Sequence, residues 1–257
     1  MTGSTEPHFA AVAALLGDPA RANILRALMD GRARTAKELA AIAGVTAPTA
    51  SGHLGKLVAA ELLSVLAQGR HRYYRLAGSL VACTIESLMA LAGEKPLPRH
   101  RHNRALTGAL RAGRTCYDHL AGRLGVQIHD RLLREGCLLP ALHDDGDGGH
   151  RHGGDGDYTV SAAGRLLLAK LEIDVAAVAR QKRGFARPCL DWSERVPHLA
   201  GGLGAAIAGR CFEQGWLLRR PDSRAVTLTP AGQLGLARVF GIDAAREMAA
   251  AAEGADG

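Results

Sequence analysis

The chain has 257 residues, enough to bury a substantial core and to divide into one compact domain plus another. Its 47% hydrophobic content is ordinary for a globular protein, and a formal charge of +7 points towards a polyanionic partner. No apolar run is long enough to span a membrane, the N-terminus lacks a signal-peptide pattern, and five widely spaced cysteines make no disulfide framework. These features predict a cytoplasmic protein with free thiols and no membrane partner.

The first predicted helix runs from Phe9 to Leu16. Asp18-Pro19 then supplies an N-cap and an N1 proline for a second helix, with Ile24, Leu25 and Leu28 on one face and a stop at Asp30-Gly31. Thr35 and Glu38 make a capping box for a third helix, in which Leu39 and Ile42 are expected to face the core and Gly44 ends the helix. Thr46 caps the next helix, with Pro48 in its first turn. A helix–Gly–helix joint of this length is helix-turn-helix geometry.

Residues 46–57 are the most informative stretch. Leu54 and Leu57 form an apolar stripe, while small and hydroxyl residues leave a slim outer face suited to the DNA major groove. Leu62–Leu66 and Arg72–Leu76 read as the strands of a hairpin, and its stretch Gln68–Arg75 is basic. A recognition helix followed by a basic hairpin is the pattern of a winged helix-turn-helix. Gly78–Leu91 reads as a further helix, a natural dimerisation element.

Pro96 and Pro98 close the first domain. Arg99, Arg101, Arg104, Arg111 and Arg114 follow with no acid among them, reading as a basic linker or the start of a helix, either a solvated face or a DNA-phosphate contact. Beyond it lies an internal repeat. His119-Leu-Ala-Gly through Leu139 matches His198-Leu-Ala-Gly through Leu218 at an offset of 79 residues, with about half the positions identical. Each copy reads as a helix, a Gly turn, a strand, a hairpin, a strand from Tyr158 or Val226, and a closing helix from Ala163 or Ala231. His143–Asp157, between the strands of the first copy, is rich in Gly, Asp and His and is expected to be disordered.

The predicted fold class is therefore mainly α with small β-hairpins (α+β). An N-terminal winged helix-turn-helix precedes two repeated, degenerate winged-helix-like units. The predicted boundaries are 1–95 for the DNA-binding domain, 96–115 for the basic linker, 116–180 and 181–247 for the repeats, and 248–257 for a flexible tail.

Several segments carry a family resemblance. They are Gly17-Asp-Pro-Ala-Arg-Ala-Asn-Ile-Leu25, Glu38-Leu-Ala, Ser51-Gly-His-Leu-Gly-Lys-Leu57, Ala60-Glu-Leu-Leu63 and Gly69-Arg-His-Arg-Tyr-Tyr-Arg-Leu76. Over about residues 9–90 the chain resembles the ArsR/SmtB family of bacterial winged-helix repressors, in an extended form with an added C-terminal domain. The resemblance implies a homodimer that releases double-stranded DNA when an effector binds. The family's metal sites do not carry over. Ala40 and Ala41 stand where arsenic sensors place cysteines, and helix 78–91 offers only Cys83 and Glu86.

The candidate DNA-binding residues are Thr46, Pro48, Thr49, Ser51, Gly52, His53 and Lys56 on the helix, with Arg70, His71 and Arg72 on the wing. Hydroxyls read several base edges, so modest specificity is expected, with DNA shape contributing. Thr46 also reads as a cap, and His53 as half-buried. Tyr73 and Tyr74 alternate, so one should face inward.

Both repeats begin alike, with Arg114-Thr-Cys116-Tyr-Asp118-His119 and Arg187-Pro-Cys189-Leu-Asp191 followed by His198. Cationic neighbours favour a thiolate, and thiolate, imidazole and carboxylate suit soft or borderline metals. Cys116, Asp118, His119, Cys189, Asp191 and His198 are thus a candidate effector or thiol site. Three readings stand. One is a dithiol, metal or metalloid sensor, and another is two structural cysteines with an Arg–Asp pair tying each loop. The third is an organic-effector pocket with Tyr117 and Trp192. No cofactor is required and the metal is unspecified. Cys83, Cys137 and Cys211 read as core, and His143, His150 and His152 as a loose metal-binding spacing.

The function expected is DNA-binding transcriptional regulation, as a repressor, with a C-terminal sensing or assembly domain. The competing classes are a winged-helix protein-interaction adaptor and an enzyme with an N-terminal winged dimerisation domain. Against an enzyme, no cofactor-binding glycine turn follows residue 100, and Gly201 and Gly204 match Gly122 and Gly125 of the other copy.

Overall fold

The computed structural model describes residues 9–69, 71–92, 104–141, 157–221 and 223–253. The chain forms two compact units, residues 1–85 and 86–257.

In the first unit, α1 (Phe9–Leu16) is followed by α2 (Pro19–Ala27). The Asp18 carboxylate accepts from the Arg21 N–H and caps α2. The helix tightens into a 3-10 turn at Leu28–Asp30, closed by Gly31 with a left-handed φ of 76°. A two-residue strand, β1 (Arg34–Thr35), leads into α3 (Ala36–Ala43) through the full Thr35–Glu38 capping box. After Gly44 comes α4 (Ala47–Ala59), then the hairpin of β2 (Leu63–Gln68) and β3 (His71–Leu76). The hairpin is paired from Leu63↔Leu76 to Gln68↔His71, and β1 adds to the other edge of β3.

The core of this unit is Ile24, Leu25, Leu28, Leu39, Leu54 and Leu57, all essentially without solvent contact. Each such side chain contributes roughly 1.5–3 kcal/mol on burial. Ile42 departs from expectation, being 41% exposed. Helical residues advance by about 100° each, so Ile42 lies nearly opposite buried Ala40 on α3.

Helix α5 (Ser79–Ala92) begins in the first unit, and its Glu86 belongs to the second. Of the linker expected at 96–115, residues 96–103 lie outside the described residues, and the described part is corrected to a helix and a strand. Arg104–Ala112 forms α6, and Arg114, far from being a solvated or phosphate-facing residue, is fully buried in a strand. Ion-pair partners elsewhere in the unit make that burial tolerable, as shown below.

The first repeat contains β4 (Arg114–Cys116), β5 (His119–Ala121), α7 (Gly122–Arg134), β6 (Leu138–Pro140), β7 (Tyr158–Val160) and α8 (Ala162–Ala169). After α9 (Val175–Ala179), the second repeats the order with β8 (Arg187–Leu190), β9 (Pro197–Ala200), α10 (Gly201–Glu213), β10 (Leu217–Arg219), β11 (Val226–Leu228) and α11 (Pro230–Phe240). Each copy thus opens on a hairpin. His119-Leu-Ala and His198-Leu-Ala, read above as helix starts, are strands, and the helices begin at the following glycine. The expected tail is also corrected, because α12 (Ala244–Glu253) runs through it and Met248 packs on the core. His143–Asp157 lies outside the described residues except for Asp157.

The two copies pack through paired glycines. A Cβ on Gly125 would stand 2.5 Å from the Leu120 carbonyl oxygen and 3.6 Å from the Cβ of His198. On Gly204 it would stand 2.3 Å from the Leu199 oxygen and 3.3 Å from the Cβ of His119. Each helix therefore presses on its own hairpin while its glycine faces the histidine of the other copy. Leu124, Ile128, Leu203 and Ile207 fill the core around this junction.

Candidate functional site

On α4 the buried residues are Ala50, Leu54 and Leu57, and the outer face carries exposed Pro48, Thr49, Ser51, Gly52 and Lys56. Among the described residues, nothing lies within 4 Å of a Cβ built on Gly52 or Gly55, so this face is slim and open. The Thr46 side chain caps the helix by accepting from the Thr49 N–H, and its hydroxyl lies 2.8 Å from that of Thr49. His53 is half-buried, its Nδ1 3.8 Å from the Asp18 carboxylate. On the wing, His71 and Arg72 are exposed, Tyr74 packs inward and Tyr73 is intermediate. Arg75, which sequence reasoning passed over, is exposed and donates from Nε to Ser64 Oγ at 3.2 Å. It alternates with Tyr74 and Leu76, the signal of an outward strand position. Arg70 lies outside the described residues.

The second constellation is in the repeats. Cys116 and His119 are directly opposed across β4–β5, and Cys189 and His198 across β8–β9. Directly opposed side chains share one face of a hairpin. The first hairpin turns in two residues, with Tyr117 at a left-handed φ of 61°; the second has a longer loop. Each copy therefore presents one thiol and one imidazole, and the two faces meet. The Cys116, His119, Cys189 and His198 side chains are buried, with one ligand atom from each lying within 4.8 Å of all the others. The two histidine Nε2 atoms are 3.2 Å apart.

Carboxylates back both rings. Asp118 Oδ1 is 3.2 Å from His119 Nδ1, and Asp191 Oδ2 is 3.1 Å from His198 Nδ1. Asp191 also accepts from the Gly122 N–H at 2.6 Å and from Ser193. The expected Arg–Asp pairs within each loop are replaced by more distant ones. Arg114 reaches Asp191 of the other copy at 3.1 Å, and Asp118 accepts from Arg183 at 2.6 Å. Arg114 Nη2 also donates to Glu86 on α5, Nη1 to Ser193 Oγ at 3.1 Å, and the guanidinium stacks 4.8 Å over Trp192. Arg224 is 3.5 Å from the other oxygen of Glu86. Trp192 thus gives the Arg114 guanidinium an aromatic face.

The electrostatics follow from this packing. The Cys116 thiol is held well below its ordinary value by hydrogen bonding from Cys189, which with the histidines outweighs burial. Burial opposes charge on His119, but the Cys116 thiolate and Asp118 raise it to about 10. Burial would raise Asp191, yet His198 and Arg114 hold it far below the usual carboxylate range. Elsewhere, burial alone pushes the Cys211 thiol up to about 12, and Cys137 is also raised, both as apolar core residues. Cys83 is only partly buried. Glu86, Arg183 and Arg224 were missed by sequence reasoning. Glu86 did carry a signal, as the single charge in the apolar helix Ser79–Ala92.

The N-terminal unit, with a slim exposed helix after a tight turn and an antiparallel wing, defines a winged helix-turn-helix DNA-binding protein. Residues 16–65 match a helix-turn-helix domain family. The HTH-type transcriptional regulator YdfF of Bacillus subtilis (strain 168) is 41% identical over 228 residues, covering 89% of this chain and 95% of the relative. The chain belongs to this family of helix-turn-helix transcriptional regulators, of the ArsR/SmtB kind that residues 9–90 resemble. It is a DNA-binding transcriptional regulator.

Among solved structures, the homodimeric winged helix-turn-helix DNA-binding domain of Mb0332 from Mycobacterium bovis, a possible ArsR-family regulator, is 28% identical. That match covers 40% of this chain and 100% of the other, with a TM-score of 0.33. The cadmium metal-sensor CMTR of Mycobacterium tuberculosis is 32% identical over 36% of this chain and 100% of its own, with a TM-score of 0.29. Among the described residues, no helix is long and apolar enough to cross a membrane.

Proposed function

We propose that the protein is a homodimeric transcriptional repressor. In this reading residues 1–95 carry the DNA contacts and the repeats act as a sensing or assembly module. Thr49, Ser51 and Gly52 meet base edges in the major groove, with Lys56 on the phosphates. His71 and Arg72 of the wing, with Arg70 beside them in sequence, meet the minor groove or backbone. The observation that carries this reading is the open outer face of α4, which among the described residues has no packing neighbour over its glycines.

Homodimerisation is supported by α1, which buries none of its residues and leaves Phe9 80% exposed, and by the exposed Leu80, Leu88 and Leu91 of α5. Sedimentation velocity is expected to give twice the 26.9 kDa chain mass. A monomer at micromolar concentration would count against the dimer.

The DNA reading is tested by gel shift with DNA from upstream of the protein's own gene, across a salt series. The intact protein is expected to bind at low salt. Arg72→Ala should weaken binding about threefold to tenfold on every sequence, and reduce the slope of log K against log salt by about 1. Failure of the intact protein to shift any genomic fragment at low salt would sink the repressor reading.

A further inference from the structure

We propose that Cys116, His119, Cys189 and His198 form a closed four-ligand site for one divalent cation of the zinc class, with two ligands from each repeat.

Three observations lead there. The first is size. Zinc–imidazole bonds of about 2.05 Å in a tetrahedron set the two ligand nitrogens about 3.3 Å apart. The histidine Nε2 atoms are 3.2 Å apart, and all four ligand atoms fit within 4.8 Å. This span suits a single ion, since a two-iron cluster would spread its ligand pairs further.

The second is the direction of the lone pairs. Asp118 is hydrogen-bonded to His119 Nδ1, and the Asp191 carboxylate lies 3.1 Å from His198 Nδ1, so negative charge beside each Nδ1 favours a proton there. Without a metal, one shared proton fits between the two Nε2 atoms at this distance. A cation bonded to both nitrogens and both sulfurs takes the place of that proton and uses both Nε2 lone pairs at once.

The third is charge. The buried or half-buried carboxylates Asp118, Asp191 and Glu86 are matched by Arg183, Arg114 and Arg224. With this outer layer neutral, two thiolates and two neutral imidazoles leave a charge that a dication cancels. Sulfur and nitrogen donors select zinc-class ions over magnesium or calcium. Four buried protein ligands leave no open position, so the site joins the repeats and is not built for metal-assisted hydrolysis.

The test uses the full chain, purified, stripped with a chelator and dialysed, then titrated with Co²⁺ and Zn²⁺. The expected result is one equivalent of either ion per chain. Co²⁺ should give intense visible bands of a tetrahedral site with thiolate charge transfer, bleached by Zn²⁺. Zn²⁺ should raise the thermal midpoint of the unit reported by Trp192 and Trp216. Replacing Cys116 and Cys189 together by Ser should abolish the charge-transfer bands and lower retained zinc at least tenfold. Replacing Cys83 by Ser, or His143, His150 and His152 by Ala, should change neither. The proposal is overturned if folded, reduced wild-type protein takes up no Co²⁺ with thiolate bands. It is equally overturned if the double-Ser variant, folded by circular dichroism, keeps them. Should that variant not fold, the wild-type titration alone decides.

Discussion

Arg114→Met is expected to destabilise the C-terminal unit by about 3–5 kcal/mol, the usual cost of removing one partner from a buried ion pair. Arg114 is completely buried and faces Glu86 and Asp191, both equally inaccessible. Methionine keeps much of the volume over Trp192 but leaves Glu86 with Arg224 alone at 3.5 Å, and Asp191 with His198, Ser193 and the Gly122 N–H, in a low-dielectric interior. Arg114→Lys should recover only part of the loss, since an ammonium cannot fork between two carboxylates, Ser193 and the Leu110 carbonyl. Both tryptophans of the chain, Trp192 and Trp216, lie in this unit, so fluorescence-detected urea unfolding isolates it. Adding Glu86→Gln to Arg114→Met should cost less than the sum of the two single changes, because each removes the other's unpaired charge. A loss below about 1 kcal/mol for Arg114→Met would show that water enters and screens the network.

Ser51→Glu is expected to lower DNA affinity by about two orders of magnitude while changing stability by no more than about 0.5 kcal/mol. Ser51 is exposed on the open face of α4 and is not among the residues that the helix buries, so a larger side chain can extend into solvent. An acid in the N-terminal half of a helix is tolerated by the helix dipole, so the fold should not object. The DNA does, because the carboxylate would be carried among phosphates and base acceptors. Fluorescence anisotropy with a labelled upstream fragment, beside urea unfolding of the same variant, separates the effects. Unchanged affinity would move the DNA contacts away from α4.

The N-terminal unit was legible because its signals are local. Asp18-Pro19, the Thr35–Glu38 box and Gly44 are caps read from a few adjacent residues, and they fall where the helices begin and end. The site residues of the repeats were legible as chemistry, since Cys, Asp and His recur in the same order. Their geometry was not. Strands of three or four residues are too short to show a period, so β4, β5, β8 and β9 were read as loop and helix starts. The true partners of Arg114 and Asp118 lie 28 to 77 residues away in the chain, a distance over which sequence pattern carries no pairing information. Arg114 read both as the last arginine of a basic linker and as the first residue of the repeated Arg-x-Cys-x-Asp pattern, and its burial decides for the second.

The hairpin pairing also sets an order of assembly. Cys116 and His119 are paired across one tight turn, and Cys189 and His198 across a hairpin with a six-residue loop, so each half can form as a local hairpin within about microseconds. Joining the halves means closing a loop of 79 residues, a slower, long-range step. During synthesis the first half therefore leaves the ribosome with a thiol and an imidazole that have no counterpart. It must wait for His198 to emerge before the junction can close. A chain cut short between the repeats would carry that exposed half, and would be recognisable by the ready alkylation of Cys116.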